Sequence, residues 1–128
     1  MKRIRFSSGG KWEPLIGYSR AVRVGNQIFV SGCTAADQNG VVSGDTYAQT
    51  TKTLETVRLA LEGVGASLAD VVRTRMFLTN IEDWQAVGRA HGEVFGSILP
   101  AATMLEVSKL IAPEMLVEIE VDAVCLLD

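Results

Sequence analysis

The sequence predicts an α+β domain of two layers, in which two helices cover one face of a mixed β-sheet. Residues near the end of the chain alternate strictly between hydrophobic and polar, which is typical of a strand with one buried face. Two longer segments instead repeat their hydrophobic residues at helical spacing, and each begins after a predicted strand. The predicted order is therefore strand, strand, helix, strand, helix, strand, strand.

The first two strands are predicted from a hairpin signal. Gly25 and Asn26 separate two hydrophobic runs, 21–24 and 27–31, which is typical of a tight turn between antiparallel strands. A third strand is predicted over Val71 to Leu78. One face of this strand is predicted to carry Val72, Thr74, Met76 and Leu78, and the other face Arg73 and Arg75.

The first helix is predicted to begin at Thr46, because residues 46–49 fit a capping box, and to end at Gly63 to Gly65. Its buried side is predicted to be Leu54, Val57, Leu61 and Val64. The second helix follows a cap at 79–82 and ends at Gly96. Its packed side is predicted to be Trp84, Val87, His91, Val94 and Phe95.

The last thirty residues predict two strands, over 103–110 and over Met115 to Leu127, joined by a turn at 111–114. In the second strand Glu118, Glu120 and Asp122 share one face, spaced roughly 7 Å apart. Such a row of carboxylates is either a solvated outer face or part of a site. The arginines of the third strand are plausible partners for it.

Composition limits the class of protein. At 128 residues and 13.8 kDa, the chain is expected to form a single domain spanning 1–128. Hydrophobic residues make up 48% of the sequence, more than a monomer of this size hides easily, so we expect an oligomer. The net charge of −3, with both signs interleaved, argues against nucleic acid as the main ligand.

The sequence also indicates a compartment. The charged start, residues 1–6, has no hydrophobic stretch behind it, so a signal peptide is not expected. No run approaches the roughly 18 hydrophobic residues that a membrane span needs. The cysteines, Cys33 and Cys125, form neither a disulfide framework nor a zinc pattern. We therefore expect a cytoplasmic protein with no membrane partner.

Several common site types find little support. His91 is the one histidine, which excludes a metal centre built from several imidazoles, and its helical spacing favours a packed role. Neither a phosphate loop nor a dinucleotide fingerprint is present, and nothing in the spacing supports a Ser-His-Asp triad. A nucleophilic Cys33 would need a nearby cation to lower its pKa, so a structural cysteine is the better interpretation.

Several short blocks, in order along the chain, carry a resemblance to a known family. They lie at 17–22, 24–26, 29–32, 73–80, 92–95, 100–102 and 117–120. Together they resemble the YjgF-like, or reactive intermediate deaminase (Rid), family. The resemblance implies a chorismate-mutase-like α+β subunit in a homotrimer, with small-molecule clefts at the subunit interfaces. It further implies hydrolysis of enamines or imines to 2-oxo acids and ammonium, with neither metal nor cofactor.

Such chemistry needs a cation to hold the substrate carboxylate and a carboxylate to activate water. By resemblance, Glu118 matches the water-activating glutamate and Tyr18 the tyrosine near the cleft. Ser31 and Gly32 match the backbone contacts at the strand end. Neighbouring positions at the predicted substrate site are Cys33, Glu120, Arg20 and Ala102.

Position 102 departs from the family pattern. Archetypal members have arginine as the third residue of Pro-Ala-Arg, whereas this chain has Ala102. That change removes a bidentate anchor for a substrate carboxylate. Arg20 is the nearest candidate to replace it, with Arg23 and Arg75 as weaker ones. The chain thus resembles an arginine-lacking branch of the family.

Three functions remain open from the sequence. The first is a deaminase-type hydrolase of an imine, an enamine or a related small molecule. The second is a non-catalytic trimer that binds a small metabolite in a regulatory or protective role. The third, the endoribonuclease or translation-inhibitor role of some family members, is the weakest because the charge balance is acidic.

Overall fold

The computed structural model describes residues 2–126, and within them it contains a six-stranded sheet and three α-helices. The strands are β1 (Arg3–Phe6), β2 (Ala21–Val24), β3 (Gln27–Cys33), β4 (Val71–Leu78), β5 (Ala101–Glu106) and β6 (Val117–Val124). The helices are α1 (Trp12–Ile16), α2 (Thr46–Gly63) and α3 (Trp84–Phe95). Short 3-10 turns precede β4 and α3.

The sheet has the order β1-β2-β3-β6-β4-β5, with β4 and β5 parallel and the other neighbours antiparallel. This confirms the predicted mixed sheet. Strand β6 lies in the interior of the sheet and joins β3 to β4. Its polar face, which carries Glu118, is therefore brought beside both of these strands.

The hydrophobic core lies between the sheet and the two long helices. Along β6 every second residue is buried, from Val117 to Ala123, as the alternation predicted. These side chains join buried residues of α2 and α3 in one cluster, among them Leu54, Val57, Leu61, Val87 and Phe95. The predicted two-layer α+β architecture is confirmed.

The N-terminal segment adds two elements that were not predicted. Strand β1 pairs with β2, and its Phe6 packs against the end of α2. A Cβ added to Gly63 would lie 2.2 Å from the Phe6 ring, so only glycine allows this contact. Helix α1 is a single short turn that ends at Gly17, whose φ of 94° is left-handed.

The predicted faces of β4 and α3 are wrong at two positions. Val71 is buried and Val72 exposed, because the register between β4 and β6 shifts between Val71 and Arg73. A bulge of this kind moves a side chain to the other face. Trp84 is also exposed, since it stands in the first turn of α3, at the edge of the packed layer.

Helix α2 begins at Thr46, as predicted, but its capping residue and the bounds of two strands differ from the prediction. Asp45, not Thr46, caps α2, and its carboxylate accepts a hydrogen bond from the Ala48 amide at 2.9 Å. Strand β5 covers Ala101–Glu106 rather than 103–110. Strand β6 starts at Val117, two residues after the predicted start, and Leu127, its predicted end, lies outside the described residues.

The face of the sheet opposite the long helices mixes hydrophobic and charged side chains. Phe29 and Leu105 are partly exposed there. Arg75 Nη1 contacts Glu120 at 3.1 Å and Asp122 at 3.2 Å, which confirms one of the predicted cross-strand arginines. None of the helices within residues 2–126 is long and apolar enough to cross a membrane.

Candidate functional site

A cavity of about 1080 Å³ opens where β3 and β6 lose their regular register, between Val30 and Cys33. Its wall includes the predicted site residues Tyr18, Arg20, Ser31, Gly32, Cys33 and Glu118. Side chains of α1 and α2 complete it. A second hollow of about 970 Å³ shares Tyr18 and Ser31 but is not lined by Glu118. The cavity of about 1080 Å³, called the Glu118 cavity below, is therefore the candidate site.

The carboxylate of Glu118 forms part of the cavity wall beside the backbone of Gly32. Partial burial raises the pKa of Glu118, the nearby charge of Glu120 raises it further, and Arg20 opposes both effects. A carboxyl group with a raised pKa can exchange protons closer to neutral pH than an ordinary one. The direction of this shift agrees with the predicted catalytic role of Glu118, which stays a prediction.

Arg20 is tied to the protein on several sides and is only 8% exposed. Its Nη1 donates to the Gly32 carbonyl oxygen at 2.6 Å and contacts the Cys33 sulfur at 3.6 Å. Its Nη2 donates to the Tyr18 hydroxyl at 3.2 Å. Arg20 therefore fixes both the bulge of β3 and the phenol that faces the cavity.

Glu13, which sequence reasoning missed, lies on the other side of this guanidinium. It is 4% exposed, and its Oε2 is 3.6 Å from Arg20 Nε. Burial opposes its ionisation, but hydrogen bonds from Ser8 and Ser7 and the charge of Arg20 outweigh burial and lower the pKa of Glu13. Among the described residues, Glu13 Oε1 and Arg20 Nε are buried without a hydrogen-bond partner.

The side chains of Ser31 and Cys33 donate hydrogen bonds to nearby backbone carbonyl groups. The Ser31 hydroxyl donates to the Ser19 carbonyl at 2.7 Å, and the Cys33 thiol donates to the Ser31 carbonyl at 3.2 Å. Burial raises the pKa of Cys33 to about 11, although Arg20 acts in the opposite direction. The thiol is thus protonated at neutral pH, which agrees with the predicted structural role.

Two predicted site residues lie away from the cavity within one subunit. Ala102 is exposed on β5, opposite Thr74 of β4, and the interior strands β4 and β6 separate it from β3. Glu120 pairs with Arg75 on the open face of the sheet. A part for Ala102 or Glu120 in the site remains a prediction that needs a neighbouring copy.

Gln49 is a second residue that sequence reasoning missed. It is buried in the first turns of α2, and its Nε2 donates to the carbonyls of Gly44 and Glu114, each at 3.1 Å. Its Oε1 accepts from the Leu116 amide at 2.9 Å. Gln49 thereby holds the segment that leads directly into Glu118.

His91 packs in the helical layer, as its spacing indicated. Its Nε2 lies 2.9 Å from Thr74 Oγ1, and its ring centroid is 4.7 Å from that of Phe95. Burial lowers the pKa of His91, so the neutral form is favoured. Within residues 2–126, His, Cys, Asp and Glu side chains form no group of three or more that could hold a metal ion.

The sheet order, the two long helices and the glutamate cavity at the β3 bulge define a YjgF-like α+β protein. A sequence model described as Endoribonuclease L-PSP matches residues 10–125, and the chain belongs to this family. A solved Mycobacterium tuberculosis member of the YjgF/YER057c/UK114 family is 46% identical, with a TM-score of 0.90 over 97% of this chain and 100% of that one. The resemblance stated from the sequence is confirmed.

Two curated relatives are similar over most of their length. An uncharacterized protein of Streptomyces coelicolor is 39% identical over 120 residues, which is 93% of this chain and 90% of that protein. The 3-aminoacrylate deaminase RutC of Acinetobacter baylyi is 36% identical over 108 residues, or 83% of this chain and 85% of RutC. The family thus includes a named deaminase.

Proposed function

We propose that this chain hydrolyses the C=N bond of a small imine, or of an enamine through its imine tautomer, in the Glu118 cavity. The observation that carries the proposal is the carboxylate of Glu118, with its raised pKa, held in a cavity beside Gly32 and Tyr18. The name of the RutC relative supports the same reaction class. Family membership alone would not fix an activity.

In the proposed reaction water adds to the imine carbon while Glu118 accepts one of its protons. That proton passes to nitrogen, which gives the tetrahedral carbinolamine. Glu118 then transfers the carbinolamine hydroxyl proton to the amino nitrogen, the C–N bond breaks, ammonia leaves and a carbonyl product remains. General acid–base catalysis of this kind contributes about 10²- to 10⁴-fold in rate. The Tyr18 hydroxyl, held by Arg20, stands at the cavity wall as a further hydrogen-bonding group.

The proposal includes assembly as a homotrimer, with the cavity at the subunit interfaces. Two features support it: the partly exposed Phe29 and Leu105 on the open face of the sheet, and the position of Ala102 far from the cavity of its own subunit. In an assembly of this kind, β5 of one copy can approach the cavity of the next.

The test is steady-state turnover of imines generated in situ, carboxylated ones by an amino-acid oxidase and neutral ones by an amine oxidase. Glu118→Gln should lower kcat/KM by at least about 100-fold, since it removes the proposed base without changing side-chain shape. The matched control is Glu82→Gln, the same substitution at an exposed position outside the cavity. Equal activity of wild type and Glu118→Gln would rule out the proposed role of Glu118.

A second candidate function is binding without turnover, in a regulatory or protective role. It is favoured by Ala102, which cannot anchor a carboxylate, and by the contacts that already occupy Arg20. Saturable binding by calorimetry, with no hydrolysis of any imine offered, would select this alternative. An RNA-cleavage assay on the same preparation tests the activity that the family description names.

A further inference from the structure

We propose that the cavity accepts an imine or enamine that has no carboxylate and that carries a hydrophobic substituent. Two features lead to this substrate class: an internal carboxylate, Glu13, beside Arg20, and a hydrophobic arm of the cavity between α1 and α2. The inference rests on the proposed function for its reaction, R₂C=NH + H₂O → R₂C=O + NH₃, which needs no other reactant.

Each nitrogen of the Arg20 guanidinium already faces a protein group. Bidentate recognition uses two neighbouring nitrogens of the fork. In this chain Nε faces Glu13 at 3.6 Å, Nη1 donates to Gly32 and Nη2 donates to Tyr18. A substrate carboxylate would have to displace one of these partners. Glu13 therefore already supplies a carboxylate partner for this guanidinium.

The charge balance of the cavity acts in the same direction. Glu13, which does not itself line the cavity, is held ionised by Ser8 and Arg20. The lining carries three further acidic residues, Asp37, Glu62 and Glu118. A carboxylated substrate would add another acidic group to this lining, beside one buried guanidinium. Among the described residues that line the cavity, the other cation is Lys52, which is exposed on α2, where water and salt screen its charge.

The hydrophobic arm of the cavity is lined by large hydrophobic side chains that are exposed rather than buried in the core. Ile16 of α1 is 63% exposed and Ile111 is 58% exposed, and both line the cavity with Trp12 and Leu59. The cavity of about 1080 Å³ is at the upper end of small-molecule sites, far more than a three-carbon imine fills. Since this arm is continuous with Glu118, a hydrophobic substituent of the substrate fits it.

The first experiment measures selectivity with two imines that share a phenyl group. Wild type should hydrolyse the imine of phenylacetaldehyde with a kcat/KM at least tenfold above that of the phenylpyruvate imine, which carries a carboxylate. In Glu13→Gln the ratio of phenylpyruvate to phenylacetaldehyde turnover should rise at least tenfold. The matched control, Glu82→Gln, removes an exposed carboxylate outside the cavity and should leave the ratio unchanged. A wild-type preference for phenylpyruvate imine, or an unchanged ratio in Glu13→Gln, overturns the proposal.

A binding measurement separates this inference from the proposed reaction. By calorimetry, wild type should bind neutral phenylacetamide at least tenfold more tightly than phenylacetate. The same difference in affinity is expected even if the protein turns over no imine. Absence of turnover would contradict the proposed hydrolase function but not the inference about the substrate class. Tighter binding of phenylacetate overturns the inference whatever the turnover.

The hydrophobic arm is tested with Leu59→Ala, which should weaken phenylacetamide binding about tenfold. The control is Leu15→Ala, the same substitution at an exposed leucine of α1 that does not line the cavity. Equal phenylacetamide affinity in Leu59→Ala and wild type contradicts the proposed occupant. A changed molecular mass of Leu59→Ala would mean that another copy of the chain covers the arm, which also contradicts it.

Discussion

The carboxylate of Glu118 occupies the space in which any residue other than glycine at position 32 would place its Cβ. A Cβ on Gly32 would lie 2.1 Å from Glu118 Oε2 and 2.9 Å from its Cδ. The same glycine offers its carbonyl oxygen to Arg20 at 2.6 Å. One backbone position thus sets the place of both the proposed base and the buried cation.

Gly32→Ala should therefore lower turnover by about 100-fold while costing only about 1 kcal/mol of stability, because the end of the Glu118 side chain can move aside. Activity and thermal denaturation measured on the same preparation check this. The control is Gly88→Ala in α3, where an added Cβ meets nothing within 4 Å. That change should stabilise the helix slightly. Full activity of Gly32→Ala would contradict the proposed position of Glu118.

The pH profile of kcat/KM should show a rising limb that belongs to Glu118. The base form is the carboxylate, so activity rises as the pH passes the pKa of Glu118. Burial and Glu120 place that pKa above the ordinary value for glutamate. Initial rates across a pH series give the apparent value. If the residual activity of Glu118→Gln shows the same rising limb, the limb belongs to another titratable group.

Stability should depend on pH through the same carboxyl group, with a defined sign. A raised pKa means that the folded chain binds this proton more tightly than the unfolded chain does. The stabilisation is present below the ordinary pKa of glutamate and is lost as the pH rises through the folded-state value. Relative to Glu118→Gln, wild type should therefore lose melting temperature across that window. If the melting temperatures of the two proteins change in parallel with pH, burial does not destabilise the charged form of Glu118.

Gln49→Leu should destabilise the chain by about 2–4 kcal/mol, because it leaves the buried backbone partners of Gln49 without their hydrogen bonds. Since the Leu116 amide leads into β6, activity should fall as well. Chemical denaturation gives the free energy of unfolding. Gln85→Leu, the same substitution at an exposed position of α3, should change it by less than about 0.5 kcal/mol.

Light scattering coupled to gel filtration should give about 41 kDa, the mass of three 13.8 kDa chains. Phe29→Glu should reduce that mass, because it places a charge on the partly exposed hydrophobic part of the open face. A monomer at micromolar concentration in wild type would remove the proposed interface. It would also remove any part for Ala102 in the cavity.

The strands and helices that show a periodic pattern in their own residues could be predicted from the sequence. Strand β6 shows its period of two, and α2 and α3 show their helical spacing. Strand β1 also alternates, with Arg3 and Arg5 before Ile4 and Phe6 respectively, but four residues at a sheet edge give too short a pattern to distinguish from a loop. Val72 was misplaced because a bulge depends on the partner strand, which no local pattern reports.

The site divides in the same way. Tyr18, Gly32 and Glu118 could be predicted because the family resemblance reaches each of them. The pairing of Glu13 with Arg20 could not, since it depends on how α1 turns back at Gly17 and places a carboxylate against a guanidinium seven residues on. Two of the three hydrogen bonds of Gln49 join segments 65 and 67 residues apart, beyond any periodicity.

The sheet order also has a consequence for how the chain folds during its synthesis on the ribosome. β6 is synthesised after β3 and β4, yet it is the strand that connects β1-β2-β3 to β4-β5. Until it emerges, β3 and β4 each present an unpaired edge, which is open to pairing with other nascent chains. Folding of the sheet must therefore follow translation of β6, and the cavity forms in that same closing step because β6 brings Glu118 to Gly32.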